Sequence, residues 1–204
     1  MRQSDMVLLV AFLAVLVALA NVVIVFQKVD DIQRIVGYAT ETTGTANLSI
    51  QSNVDINFSD NIIDWGSGTH NSDVDNATLV SNGTVSQGNW SIEDSGLMLE
   101  NIGNTNASIE LSTGKDADGF IGGDDAGGPV YEWRISENET GTCSGTLSDT
   151  SFTAVSTSPK TVCTNMGSSS DVNELIVDIK VVIPIDAPKE PKGDVITATA
   201  TSVL

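Results

Sequence analysis

The stretch that decides the fold is MVLLVAFLAVLVALANVVIVF, residues 6–26, in which Asn21 is the only polar residue. As a helix with a rise of about 1.5 Å per residue it is about 31 Å long, which is the thickness of the hydrocarbon core of a bilayer. One interpretation is a signal peptide, since Ala18-Leu19-Ala20 has the A-x-A form of a cleavage site. Cleavage there would leave the apolar residues NVVIVF at the new N-terminus, so a helix that is kept is favoured over one that is removed.

The residues after the apolar run bear on two roles for a kept helix: a plain single-pass anchor, or a helix that is later packed into the core of a filament. Residues 27–40, QKVDDIQRIVGYAT, keep a helical period. Its apolar positions are Val29, Ile32, Ile35 and Val36. The period predicts helix to about Val36, with Gly37 as its stop signal. A plain anchor has no need of this stripe, whereas a helix that packs against copies of itself does; the competing interpretation is that the stripe docks onto the globular part of the same chain.

The chain is strongly acidic, with 27 Asp and Glu residues against 9 Lys and Arg residues and a net charge of −18. Residues 1–40 are neutral, so the rest of the chain carries the whole charge. Nucleic acids are bound by basic patches, so a nucleic-acid partner is not expected. A surface of this kind is soluble and self-repelling, and it suits high salt.

From Ala46 onward the hydrophobic period changes from that of a helix to two, the period of a strand. Apolar residues alternate with polar ones in segments that are separated by loops rich in Gly, Asn, Asp and Ser. The segments predicted as strands are 48–58, 97–99, 107–111, 130–135, 152–155, 175–183 and 195–203. No segment with a helical period follows residue 37. Seven to ten short strands with turn-rich connections predict an antiparallel, immunoglobulin-like sandwich.

The predicted fold class is therefore α+β, a long N-terminal hydrophobic helix followed by an all-β antiparallel domain. The expected organisation is a membrane or assembly helix over residues 1–37, a linker over 38–45 and a β-sandwich ectodomain over 46–204. This layout, with its short polar N-terminus, apolar helix, amphipathic extension and β-rich domain full of Asn, Thr and Gly, resembles archaeal type IV pilins and archaeal flagellins.

The resemblance implies a structural subunit of an extracellular pilus-like filament, inserted in the membrane before assembly and active in adhesion or cell-surface interaction. N-terminal helices would form the core of this helical homo-oligomer, with the sandwiches outside. The residues expected to pack between subunits are Leu8, Leu9, Phe12, Val15, Leu16, Leu19, Val23, Phe26, Val29, Ile32 and Val36. The alternative is a single-pass anchored surface protein that binds a glycan or a partner cell through its sandwich.

Cys143 and Cys163 lie 20 residues apart, on either side of the strand predicted near Phe152. Two cysteines in an extracellular domain predict a disulfide, which would stabilise the fold by about 3 kcal/mol through loop closure. A metal pair would need further ligands, and a catalytic thiol would need a nearby histidine, whereas the single histidine, His70, is remote in sequence.

The chain carries seven N-x-S/T sequons, all of them after the apolar helix. Their asparagines are Asn47, Asn57, Asn76, Asn82, Asn89, Asn106 and Asn138. In a chain so rich in Asn and Thr several will arise by chance, but their placement fits an exposed ectodomain, and some are expected to carry glycans.

No catalytic site, cofactor or metal site is expected. The best candidate for a Ca²⁺ site is the acidic loop with Asp116, Asp118, Asp124 and Asp125, but it lacks the third acid and the distal Glu of an EF-hand, and a solvated loop is favoured. His70 lies in a Gly/Ser/Asn turn with nothing to orient its imidazole. The tryptophans Trp65, Trp90 and Trp133 are expected in the core rather than in a sugar-binding platform.

Overall fold

The computed structural model of the chain describes residues 3–35 and 48–203. The chain divides into two compact units, Met1–Ser49 and Ile50–Leu204. The first unit contains the long helix and the second contains all the strands. The predicted order of an apolar helix followed by antiparallel β-sheets is confirmed.

Helix α1 runs from Gln3 to Ile35, 33 residues and about 50 Å. Its segment Val10–Lys28 is long and apolar enough to cross a membrane, and none of that segment is buried. Asn21 is the polar interruption, and its side-chain Nδ2 donates a hydrogen bond to the carbonyl oxygen of Val17 at 3.0 Å. The amide is thereby partly satisfied within the helix, as an apolar environment requires. The predicted end of the helix at Val36 and Gly37 and the predicted linker at 38–45 lie outside the described residues.

The described residues of the second unit contain ten strands, one short α-helix and a 3-10 helix at Asp125–Gly127. The strands and the α-helix are β1 (Ile56–Asp60), β2 (Asn76–Val80), β3 (Thr84–Ser86), β4 (Leu97–Asn101), β5 (Ala107–Thr113), α2 (Ala117–Phe120), β6 (Val130–Glu137), β7 (Thr153–Ala154), β8 (Lys160–Met166), β9 (Glu174–Pro184) and β10 (Ile196–Ser202). Every pairing between them is antiparallel.

Strand β9 is the centre of the larger, seven-stranded sheet. Strand β6 pairs along one edge of β9, while β4 and β2 share the other edge, β4 at Glu174–Val177 and β2 at Lys180–Pro184. Ser81 fills the gap between those two short strands. Its N–H donates to the carbonyl oxygen of Ile179, and the N–H of Ile179 donates to its Oγ, both at 2.9 Å. The outer positions belong to β1, β3 and β7.

The smaller sheet has the order β10-β5-β8, and both sheets contribute side chains to one buried apolar cluster. Alternate residues of β4, β5, β6 and β9 face this cluster, as their sequence alternation predicts. Trp133 of β6 is fully buried in it, and Trp65 and Trp90 pack against it, so the expected core role of the tryptophans is confirmed. Burial of apolar surface by two half-apolar sheets supplies the main stabilising free energy.

Two predictions for the second unit are wrong. Residues 48–55 form no strand, because the part from Gln51 is held by the β4–β5 turn instead: Asn104 donates from Nδ2 to the carbonyl oxygen of Gln51 and accepts from the N–H of Asn53. A helical turn also follows residue 37. In α2, the carboxylate of Asp116 accepts from the N–H of Gly119 and caps the turn. Both corrections depend on local side-chain capping that hydrophobic periodicity does not report.

Candidate functional site

Helix α1 is apolar all around its surface between Val10 and Phe26, apart from Asn21. The large residues of the predicted interface in this segment have side chains that are 48% to 69% exposed. These are Phe12, Val15, Leu16, Leu19, Val23 and Phe26. Large apolar residues elsewhere around the helix, among them Val10, Leu13 and Val17, are exposed to a similar extent. A helix that is apolar all around suits burial in lipid or among several neighbouring helices.

The other predicted contact residues are Leu8, Leu9, Val29 and Ile32, which belong to α1 without described side chains, and Val36, which lies outside the described residues. Packing of all these residues between subunits stays a prediction.

Cys143 and Cys163 lie in the second unit with their Sγ atoms 2.10 Å apart, the distance of a disulfide bond. Cys163 belongs to β8 and is fully buried, and the described residues contain no free cysteine. The bond fastens the segment that contains Cys143 to β8. Two isolated antiparallel bridges join the same segment to β8, one between Cys143 and Met166 and one between Leu147 and Cys163. The carboxylate of Glu137 also accepts from the N–H of Cys143 at 2.7 Å.

Reduction of this bond is expected to destabilise the second unit by about 3 kcal/mol, the loop-closure value for a loop of this size. The melting temperature of the reduced protein should fall, and the double variant Cys143→Ala/Cys163→Ala should melt like the reduced wild type and ignore reductant. Thiol titration of the denatured, unreduced protein should find no free thiol. An unchanged melting temperature in reductant that demonstrably opens the bond would contradict the prediction.

The carboxylate and N–H groups of the acidic loop, residues 116–125, make local hydrogen bonds. Asp116 caps α2, and the carboxylate of Asp186 accepts from the N–H groups of Asp124 and Asp125 at 3.0 and 3.2 Å. The pKa of Asp186 is held below its ordinary value, chiefly by the hydrogen bond from Asp124. No three His, Cys, Asp or Glu side chains come together as metal ligands within residues 3–35 and 48–203. Asp118 lies in the same loop and is exposed, and a solvated acidic loop stays the prediction.

The sequons differ in how the fold presents them. Asn57 on β1 and Asn82 in the β2–β3 turn are exposed, while Asn76 and Asn106 are half-buried. Two others make side-chain hydrogen bonds: Asn89 accepts from the N–H of Thr69 at 2.6 Å, and Asn138 donates to Glu174 at 2.6 Å. Asn47 lies outside the described residues.

The neighbourhood of His70 forms a packed aromatic contact. The ring of Trp90 lies between Gly68 and Gly88, where any Cβ atom would overlap it, and the His70 ring meets its edge with centroids 5.4 Å apart. His70 Nε2 lies 2.8 Å from the carbonyl oxygen of Ile183. This nitrogen is thus occupied by backbone, and the two glycines, which no sequence signal singled out, give the ring its space.

Two acidic side chains inside the second unit are neutralised by bases of the same unit. Asp178 of β9 pairs with Arg134 of β6 and accepts from Ser81 Oγ at 3.3 Å. Asp149 accepts from Lys160 Nζ at 2.7 Å and from Trp133 Nε1 at 2.8 Å. Burial alone would raise the pKa of Asp149, but these hydrogen bonds and the charge of Lys160 outweigh it and hold the pKa below its ordinary value.

Because the folded pKa of Asp149 is lowered, its contribution to stability is present above the ordinary value of about 3.9 and is lost as pH falls through the folded value. Asp149→Asn keeps the shape of the side chain and suits the positive φ of this residue. The substitution is expected to lower the free energy of unfolding by about 1–3 kcal/mol at pH 7. The difference in the free energy of unfolding between wild type and variant should disappear on acidification, which urea unfolding between pH 7 and pH 2.5 would measure. A difference that stays constant over that range would contradict the assignment.

The chain matches no protein-family model, no curated protein and no solved structure. Two features of its own residues therefore bear on its function: a helix whose apolar segment Val10–Lys28 is unburied, and a disulfide-bonded second unit, Ile50–Leu204, called the β-unit below, which has few bases.

Proposed function

We propose that the chain is a structural subunit of an extracellular pilus-like filament, with α1 in the filament core and the β-unit outside. The observation that carries the proposal is that α1 continues for seven residues beyond the membrane-length segment Val10–Lys28, from residue 29 to residue 35. A bilayer core of about 30 Å accounts for about 20 of its 33 residues. A helix that must bury apolar faces along its remaining length needs protein neighbours, and further copies of itself supply them.

The composition of the β-unit supports the extracellular location. Disulfides persist in oxidising compartments, and Cys143 and Cys163 are at bonding distance. Two antiparallel sheets around a shared core also suit an immunoglobulin-like sandwich, which we propose as the architecture of the β-unit. Such a sandwich would serve as a scaffold for adhesion or cell-surface contact. Before assembly, α1 would hold the subunit in the membrane through Val10–Lys28.

Electron microscopy of the native protein, sheared from cells or purified without detergent, tests the proposal. We expect filaments whose central density consists of packed helices and whose surface carries the β-units. Single β-units on isolated anchors in detergent or vesicles, with no polymers under any salt condition, would overturn it. That outcome would favour the anchored surface protein that binds a glycan or partner cell.

A further inference from the structure

Strand β10 leaves one edge of the smaller sheet open. It pairs with β5 over its whole length, and no other strand of the described residues pairs with it. In an antiparallel pair, the backbone N–H and C=O groups of every second residue bond to the partner strand, and those of the residues between them point away from it. The carbonyl oxygen of Val195 accepts from Gly114, and the N–H of Val203 donates to Asn106, so the odd-numbered residues bond to β5. The backbone groups of Ile196, Ala198, Ala200 and Ser202 therefore face the open edge.

This edge lacks the features that normally protect one. Natural sheets protect their edges with charges, prolines, bulges or very short strands. The outer strands of the larger sheet fit that pattern, since β3 and β7 have three and two residues and β1 has a register shift against β4. Strand β10 has seven residues in uninterrupted register, with no charge and no proline. Such an edge is a ready template for another strand.

A second segment has the sequence of a strand but no strand partner among the described residues. In Leu48–Ser52 the apolar residues alternate with polar ones, and the side chains of Leu48 and Ile50 are 86% and 81% exposed. The β4–β5 turn holds the end of this segment, because Asn104 donates from Nδ2 to the carbonyl oxygen of Gln51 and accepts from the N–H of Asn53. The segment's pattern is that of a strand with one apolar face, and within residues 3–35 and 48–203 that face is uncovered.

Charge and shape both match this segment to the β10 edge. Residues 42–54 and 195–204 carry no charged side chain, in a chain with a net charge of −18, so the two can approach where most surfaces of two copies would repel. Ala198 and Ala200 are small, half-buried and packed against the core. An added strand could place Leu48 and Ile50 beside them and extend the core across the edge.

We propose that residues 48–52 of one subunit add as a strand to the β10 edge of a neighbouring copy. The inference rests on the proposed function, because only a polymer presents each copy with a neighbour on a fixed side. The contact is heterologous, with a donor segment on one subunit and an acceptor edge on the next, so it repeats along a filament instead of closing a pair.

Cysteine crosslinking in assembled filaments tests the pairing. Ser49→Cys and Thr199→Cys are made on separate chains and doped together into wild-type filaments, which are then treated with a short bis-maleimide. Thr199 is exposed on the outer face of β10, and the native cysteines are already bonded to each other, so each chain presents one thiol. A crosslinked dimer is expected from the mixture and from neither variant alone. Thr197→Cys and Thr201→Cys extend the acceptor scan along the same face.

Thr84→Cys, on the exposed edge strand β3, is the matched control and should give no dimer with Ser49→Cys. Ala200→Pro in the acceptor chain should abolish the crosslink, because it removes an N–H that faces the open edge while leaving the ladder to β5 intact, and Ala200→Ser should not. Filaments without any crosslink at the three β10 positions would overturn this inference alone. Failure of the wild-type chain to polymerise would overturn the proposed function and the inference with it.

Discussion

Replacement of Ile32 by glutamate is expected to abolish filament assembly while leaving the protein folded and membrane-bound. Ile32 lies in α1 beyond the membrane-length segment Val10–Lys28. In a filament core the new carboxylate would be buried between helices without a partner, at a cost of several kcal/mol per subunit. Because every subunit in the polymer carries the same defect, the critical concentration should rise beyond any practical protein concentration. Pelleting and electron microscopy would measure assembly, and membrane flotation would measure anchoring.

Gln33→Glu is the matched control, since it adds the same charge one residue further along the same helix at a position that is already polar. It should assemble like wild type, and both variants should keep the melting transition of the β-unit. The filament and the plain anchor predict different results, because neither position lies in the bilayer. If Ile32→Glu assembles as well as Gln33→Glu, the extension of α1 has no packing role and the proposed core is wrong.

A similar loss is expected from Val36→Glu, at the predicted end of the same apolar stripe, and the same pelleting assay would measure it.

The parts of the fold that the sequence predicts are those governed by local hydrophobic pattern. A run of 21 residues with one polar member leaves helix as the only way to satisfy the backbone in an apolar environment. Strict alternation likewise identifies β5 and β9, because a strand with one buried face must change face at every residue. The disulfide could be predicted because the chain offers only one possible pair.

The parts that could not be predicted depend on contacts between residues that are distant in sequence. Residues 48–55 alternate like a strand, yet Asn104 holds Asn53 in a loop. The hydroxyl oxygen of Ser81 accepts a hydrogen bond from the N–H of Ile179 in β9, at the gap between β2 and β4. Nothing in the sequence around Ser81 indicates that role.

The distribution of charge connects the fold to assembly. Six lysines and arginines follow residue 40, and four of them form ion pairs with acids of the same chain. Lys115 donates to the carbonyl oxygen of Gly193 as well. The few bases are thus largely engaged within their own subunit, so they are poorly available to neutralise the acids of a neighbour. Most of the 24 acids of this region remain as net negative surface charge.

Filaments are therefore expected to dissociate on dialysis into low salt and to re-form at high salt. The Debye length is about 30 Å at 0.01 M salt and about 3 Å at 1 M, so β-units packed side by side repel each other strongly in the first condition and little in the second. With a charge of −18 per subunit, this repulsion acts against every lateral contact of the polymer at once. The fraction of protein that pellets, measured across that range of NaCl, should rise steeply with salt.

Charge removal on the β-unit separates screening from a specific effect of the cation. Asp94→Asn, Asp118→Asn and Asp171→Asn together remove three exposed charges that lie outside every described ion pair and hydrogen bond. If general repulsion limits assembly, this variant should polymerise at lower salt than wild type, and NaCl and KCl should be equivalent at equal ionic strength. Sucrose at matched osmolality should not replace salt. Assembly that is indifferent to salt from about 0.01 to 1 M would instead mean that helix contacts, the β10 edge or attached glycans hold the β-units together against their charge.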